Sequence, residues 1–171
     1  MLPPGHEYEI DPRWAIDALL DVEPFNGVSW DPSYSNGSIP QVMSARGLSC
    51  FGSEITQRNY NEAMFDFFTD KYSVDNIVTH PPYRLIEPYI CRALKQAHYK
   101  VAILTRLAFL ESVKRRAFFQ ATPLARIWLP SQRMATPACK TNKEAKGGSA
   151  TYAWFVWEHG HEGAPTIGWL P

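Results

Sequence analysis

Short apolar strands alternate with amphipathic helices along the whole chain, and this alternation restricts its fold more than any other feature. Residues 12–21 (PRWAIDALLD) put Trp14, Ala18 and Leu19 on one helical face, with Ile16 and Leu20 beside them and Pro12 near the first turn. GVSW (27–30) reads as a strand ended by the turn-rich DPSYSNGS. IPQVMSARG reads as a helix stopped by Gly47, and residues 48–55 as a second strand. NIVT (76–79) is a third strand, and residues 84–99 a helix with Pro88 in its first turns. Residues 100–110 begin as a buried strand, 111–119 form a short basic helix, 124–130 another strand, and 151–159 a closing strand. Both alternating sets of that strand are apolar, so both faces are expected to be covered and its aromatics to be core. The expectation is an α/β fold, a mainly parallel sheet with helices on both faces.

The chain has 171 residues, no internal repeat and no long low-complexity segment, which suits one domain over 1–171. A Lys-rich, Gly-containing stretch at 131–150 is expected to be a flexible basic loop within it. No apolar run approaches the ~20 residues that span a bilayer, and the start lacks a charged-then-apolar leader. Cys50, Cys91 and Cys139 are scattered and odd in number, which fits reduced thiols in a cytoplasm better than disulfides or zinc. The net charge of zero conceals a split. Residues 1–91 hold five Lys/Arg against thirteen Asp/Glu, whereas 92–146 hold twelve against two. A basic segment in an acidic chain is expected of a protein that meets phosphates with one face, or of a solvated helix surface and a charged loop.

Ligands of such sheets bind outside the carboxyl ends of the strands, which singles out three turns. Asp31-Pro32-Ser33-Tyr34-Ser35-Asn36-Gly37 follows the first strand, Glu54 ends the second, and His80-Pro81-Pro82-Tyr83 follows the strand at 76–79.

The order and spacing of these turns resemble the class I S-adenosylmethionine-dependent methyltransferases, in particular the amino-methylating DNA methyltransferases and their small phage and prophage relatives. The resemblance covers nearly the whole chain and implies a Rossmann-like class I methyltransferase fold, with a mainly parallel sheet and a C-terminal antiparallel strand. It implies S-adenosyl-L-methionine as cofactor and no metal. Asp31, Pro32, Ser33 and Gly37 fall where the family wraps the cofactor in an acidic-Pro-Ala-x-Gly-x-Gly turn. Glu54 falls where an acidic side chain holds the ribose hydroxyls, and Asp66-Phe67 where an Asp-Phe pair meets the adenine. The segment HEYEIDPRWA, with Tyr8, resembles the part that packs on the methionine end. His80, Pro81, Pro82 and Tyr83 occupy the catalytic tetrapeptide Asn/Asp/Ser-Pro-Pro-Tyr/Phe/Trp. The implied substrate is the exocyclic amine of adenine in DNA, met through the basic 92–146 segment. A host protein partner and a bacterial host cytoplasm follow if the chain is phage-encoded.

The tetrapeptide has a chemical rationale. An exocyclic amine is a poor nucleophile because its lone pair is delocalised into the ring. In the family the base is flipped into a pocket, and a side-chain oxygen with the first proline's carbonyl accepts the amine hydrogens. Two prolines fix the backbone and leave no N–H to compete for that carbonyl, while the aromatic stacks on the base. His80 departs from this pattern. A neutral imidazole accepts one hydrogen bond, but a protonated one only donates. Ser35 departs as well, standing where the first glycine of the cofactor turn is expected, beside the bulky Tyr34. The two departures open a second reading, a methyltransferase fold without catalysis that binds nucleic acid or a host protein in a counter-defence or regulatory role. His159 and His161 read as a surface turn, not a metal site. Lys114, Arg115 and Arg116 read as phosphate contacts or helix solvation. Arg133, Lys140, Lys143 and Lys146 read as a surface loop, and Cys139 in that loop has no adjacent base.

Overall fold

A computed structural model describes residues 12–34, 36–54, 63–64, 66–132, 134 and 150–171. Within them the strands are β1 (Val28–Asp31), β2 (Ser49–Glu54), β3 (Ala63–Met64), β4 (Val74–Thr79), β5 (Ala97–Arg106), β6 (Leu124–Leu129), β7 (Tyr152–Glu158) and β8 (Thr166–Trp169). The helices are α1 (Arg13–Val22), α2 (Ser38–Ala45), α3 (Ile86–Gln96) and α4 (Val113–Gln120), with 3-10 turns at Tyr83–Leu85 and Leu107–Leu110. The described strands form one sheet in the order β3-β2-β1-β4-β5-β7-β6-β8. β1 pairs in parallel with both β2 and β4, and β4 with β5. β7 is antiparallel between β5 and β6, and β8 runs parallel to β6 at the edge.

The alternation of apolar residues explains why both faces are covered. One layer, with Trp30, Ile77, Ile103, Phe155 and Trp157, packs under α3, α4 and the Leu107–Leu110 turn. The other, with Val78, Ala102, Leu104, Trp154 and Val156, packs under α1 and α2. β7 is buried from Tyr152 through Trp157, as a strand apolar on both faces requires. The Trp154 indole N–H donates to the Ala15 carbonyl at 3.0 Å and pins α1 to the sheet.

Some boundaries differ from the sequence reading. The helix expected over 84–99 begins only at Ile86, because Pro81 and Pro82 hold the preceding backbone extended and Tyr83–Leu85 forms a tighter turn first. It ends at Gln96, since Ala97 already pairs with Val74 and residues 97–99 open β5. The segment 100–110 does begin as a buried strand; the strand ends at Arg106, where the Leu107–Leu110 turn begins. β7 does not close the sheet: β8 lies beyond β6, and a strand this short and mostly exposed leaves little hydrophobic pattern to read. β3, of two residues, left none.

A buried ionic cluster ties the end of α1 to β5, β6 and β7. The Glu23 carboxylate, its side chain 2% exposed, accepts from Arg126, from the Trp128 indole at 2.9 Å and from Lys100 at 3.0 Å. Arg126 also donates to Glu158 at 2.6 Å. Burial pushes the Glu23 pKa up, but the hydrogen bonds from Arg126, Trp128 and Lys100 outweigh it and hold the carboxyl below its ordinary 4.5. A depressed native pKa contributes stability that is present above the ordinary value and lost as pH falls through the native one. Urea melts should therefore show stability dropping below about pH 4.5, with a shallower drop in Glu23→Gln. Glu23→Ala, which removes the buried carboxylate shared by Arg126, Lys100 and the Trp128 indole, should cost about 3 kcal/mol at neutral pH in the same melts.

Candidate functional site at the switch point of the sheet

The strand order reverses between β1 and β4, the place in an open α/β sheet where a ligand crevice is expected outside the carboxyl ends of the strands. Because β2, β1, β4 and β5 are mutually parallel, the turns after Asp31, Glu54, Thr79 and Arg106 share one rim. The three turns singled out by sequence are thus brought together. Asp31 sits opposite Gly52 of β2 in the ladder, two residues before Glu54.

Asp31 is 2% exposed, and its Oδ1 accepts from the Thr79 hydroxyl at 2.7 Å and from the Ser33 backbone N–H at 3.1 Å. The first bond joins the carboxyl ends of the two strands that flank the crevice. The second bends the chain into an Asx-type turn, which short acidic side chains favour. Further along, the Ser33 hydroxyl donates to the Tyr89 hydroxyl at 2.8 Å, and Tyr89 donates to the Pro32 carbonyl at 3.0 Å. Tyr89 in turn stacks on Phe67 with centroids 4.3 Å apart. The cofactor-turn residues and the Asp66-Phe67 pair are therefore linked through one tyrosine of α3.

Phe67 is 4% exposed and lies between Tyr89 and Trp30, in the core layer. The Asp66 carboxylate accepts from the Phe68 N–H at 2.9 Å and shapes its own turn. Gly37 adopts φ 74 ahead of α2, with Asn36 Oδ1 accepting from the Ser38 hydroxyl at 2.8 Å. Tyr34 occupies the space between this glycine and β2. A Cβ on Gly37 would come within 2.7 Å of the Tyr34 ring, and one on Gly52 within 1.7 Å. The large residue in the turn is accommodated by the absence of a side chain on the adjacent strand. Tyr8 and Ser35 lie outside the described residues, as do the Glu54 side chain, Cys139 and the cations Arg133, Lys140, Lys143 and Lys146.

On the other side of the crevice, Pro81 is buried while Pro82 and Tyr83 are exposed. His80 is half-buried, its ring edge-on to Tyr152 of β7 at 5.8 Å. Tyr83 is 37% exposed and flanked by two guanidinium groups, Arg106 at 5.3 Å and Arg115 at 5.9 Å from its ring centre. Arg115 reaches Glu87 at 3.2 Å, the Tyr83 hydroxyl at 3.4 Å and the carbonyls of Ala108 and Phe109 at 3.2 and 3.3 Å.

Thr79, Tyr89, Tyr152 and Arg106 were not singled out from sequence. Gly52 gave a readable signal, since a glycine inside a strand marks close approach of another group. Cys50 is no nucleophile: burial, with Asp31 adding to it, pushes its thiol pKa far up. Among the described residues no group of three or more His, Cys, Asp or Glu is placed to hold a metal ion, and no helix is long and apolar enough to cross a membrane.

This is the Rossmann-like class I methyltransferase fold: parallel strands reversing order beside β1, then an antiparallel β7 inserted between β5 and β6. Solved structures agree. Protein 1320 of Thermoplasma acidophilum superposes with a TM-score of 0.61 at 14% identity, over 86% of this chain and 84% of that one. Magnesium protoporphyrin IX methyltransferase from Synechocystis PCC 6803, with bound SAM, gives 0.55 at 10% identity, over 85% and 78%. The T. thermophilus 16S rRNA N2 G1207 methyltransferase, in complex with AdoMet and guanosine, gives 0.54 at 15% identity, over all of this chain and 43% of that one. No protein-family model and no curated protein matches the chain.

The Tyr34 notch generates a double-mutant test. Gly52→Ala should destabilise by about 1–3 kcal/mol in denaturant melts, the usual range for overpacking. In a Tyr34→Ala background the same change should cost little, because the ring it meets is gone.

Proposed function

We propose that the chain is an S-adenosylmethionine-dependent methyltransferase-like protein whose substrate is the exocyclic amine of adenine in DNA. The observation that carries this reading is the junction at the switch point. The Thr79–Asp31 hydrogen bond ties the strand end before the turn at 31–37 to the strand end before the turn at 80–83, which supports reading the two turns as parts of one site.

The residues suit a nucleoside cofactor in placement. Gly37 keeps its left-handed backbone, and Asp31 and Glu54 end adjacent parallel strands. When bound, S-adenosylmethionine supplies a methyl group made electrophilic by its sulfonium. The chain's own residues prepare the amine. Tyr83 offers an exposed ring at the rim for stacking a flipped base. The Pro81 carbonyl and a neutral His80 nitrogen accept the amine hydrogens, localising the lone pair. With the cofactor bound, the contribution of these residues would be mainly to position the amine for attack on the methyl group.

A catalytically silent, nucleic-acid-binding form of the same fold is favoured by one observation, the imidazole of His80 in place of a side-chain oxygen. Two measurements separate the readings. A thermal-shift titration with S-adenosylmethionine should raise stability by about 2.7 kcal/mol at a hundredfold excess over Kd. No shift at millimolar cofactor removes the enzyme reading, whereas a shift without methyl incorporation into DNA leaves the silent one. His80→Asn restores an acceptor oxygen and should raise incorporation of labelled methyl into adenine-containing DNA. An unchanged blank in a variant that still binds cofactor would count against the assignment of the tetrapeptide.

A further inference from the structure

The apolar layer under α3 and α4 runs out of cover at one edge of the sheet. The register of β6 and β8 sets Ile167 beside Ile127 and Trp169 beside Leu129, so these side chains share a face. Ile127 is 2% exposed and belongs to the core, and Leu129 packs against that core. Ile167 and Trp169 are 58% and 69% exposed. The opposite face is closed. Gly168 lies under the Trp128 ring, which a Cβ there would meet at 2.2 Å, and the Trp128 indole is tied to the buried Glu23. Among the described residues β8 is the last strand in the order, so no described strand lies along its outer edge.

The backbone of that edge is itself patterned. The Leu170 N–H donates to the Leu129 carbonyl at 2.7 Å. Successive residues of a strand turn their N–H and C=O groups to opposite sides, so Thr166, Gly168 and Leu170 face β6 while Ile167 and Trp169 face outward. The next outward positions on either side are Pro165 and Pro171, which have no N–H to offer. The outer edge is therefore a pair of donors bounded by two prolines, symmetric about Gly168. An antiparallel strand of the same sequence fits this pattern in one register. Ile167 then lies opposite the second copy's Trp169, and Trp169 opposite its Ile167. Each such pair exchanges both backbone hydrogen bonds and sets a β-branched side chain against an aromatic one. Sliding the second strand by two residues would set Ile167 or Trp169 opposite a proline.

Charge does not oppose the contact. Residues 163–171 carry no charged side chain, and the net charge of the whole chain is zero, so two copies do not repel at neutral pH. Open edges are ordinarily guarded by charged side chains as well as by prolines. Here the prolines limit the length of the edge, and no charge guards its centre. A strand from another protein would need none of this symmetry.

We propose that β8 is a homodimerisation edge, at which two copies of the chain pair Thr166–Trp169 antiparallel about a two-fold axis at Gly168 and join their sheets. The contact consumes the edge on both chains, so assembly through it stops at two. β8 runs in the direction of β5, because β7 is antiparallel to both β5 and β6 and β8 is parallel to β6. The two-fold reverses the second copy's strands and places its turns after Asp31 and Thr79 at the opposite end of the joined sheet. Neither set of turns is covered, so the inference stands apart from the methyltransferase reading.

Sedimentation equilibrium of the intact chain, from micromolar to submillimolar concentration, should show the mass rising from 19.5 kDa toward twice that value. A junction of one short strand per chain lies at the weak end of interfaces, so the dimer should dissociate in the micromolar range. Ile167→Glu combined with Trp169→Glu, and separately Ile167→Lys combined with Trp169→Lys, put like charges in facing positions. Each double variant should associate at least about tenfold more weakly than the parent, and an equimolar mixture of the two should regain the dimer mass because opposite charges then face each other. Thermal melts confirm that both variants are folded. The proposal is overturned if the parent keeps the single-chain mass throughout, which would leave the edge to a strand from another protein. It is equally overturned if both double variants pair as tightly as the parent, or if the mixture of folded variants does not pair.

Discussion

The hydrogen bond from Thr79 to Asp31 is the constraint on which the rest of the rim depends. Parallel strands that diverge into opposite connections leave a gap at their carboxyl ends, and nothing in the backbone ladder closes it, since the β1–β4 pairing ends at Trp30 and Ile77. The side-chain bond ties the two strands together beyond the end of that ladder. It is made where both groups are buried, with Asp31 2% and Thr79 0% exposed, so water does not compete for the bond. Asp31 Oδ1 also takes the Ser33 N–H, so the same oxygen that joins the strands begins the turn.

From that point the site is supported by polar links that reach inward to aromatic packing. Ser33, Tyr89 and the Pro32 carbonyl form a short chain, and Tyr89 then stacks on Phe67. The loop at 31–37 is thereby tied to α3 and to the segment at 66–67, both distant in sequence. On the far side, Arg115 performs a similar service for Tyr83 through the carbonyls of the Leu107–Leu110 turn. Tyr34 is the point where the turn departs most visibly from a small-residue loop. Its bulk is tolerated because Gly52 withdraws a side chain from the facing strand, so two departures from the ordinary pattern compensate each other.

Much of the architecture was legible in the residues. Strands covered on both faces carry apolar residues on both, and the runs in the parallel β4 and β5 and in the antiparallel β7 are legible for that reason. The strands that escaped lie at the margins of the sheet: β3 has only two residues, and β8 is short and mostly exposed, so it carries no burial pattern. The break between α3 and β5 was displaced because Ala97, His98 and Tyr99 continue an acceptable helical sequence; pairing with β4 claims them instead. Within the site, the turns at 31–37 and 80–83 were visible from their Pro, Gly and aromatic content, and a strand-end rule placed them on one rim.

What the sequence determined by itself was the order of strands and helices, the faces they bury and the turns that end them, because these follow from periodicity and from local backbone preference. Which residues touch across the rim was decided only by the tertiary structure. Thr79 and Arg106 carry no local signature of their partners: Asp31 lies 48 residues from Thr79, and Tyr83 belongs to a different strand end from Arg106. Such contacts arise from the register and twist of the packed sheet, which depend on every strand at once and so cannot be read from any one stretch of chain.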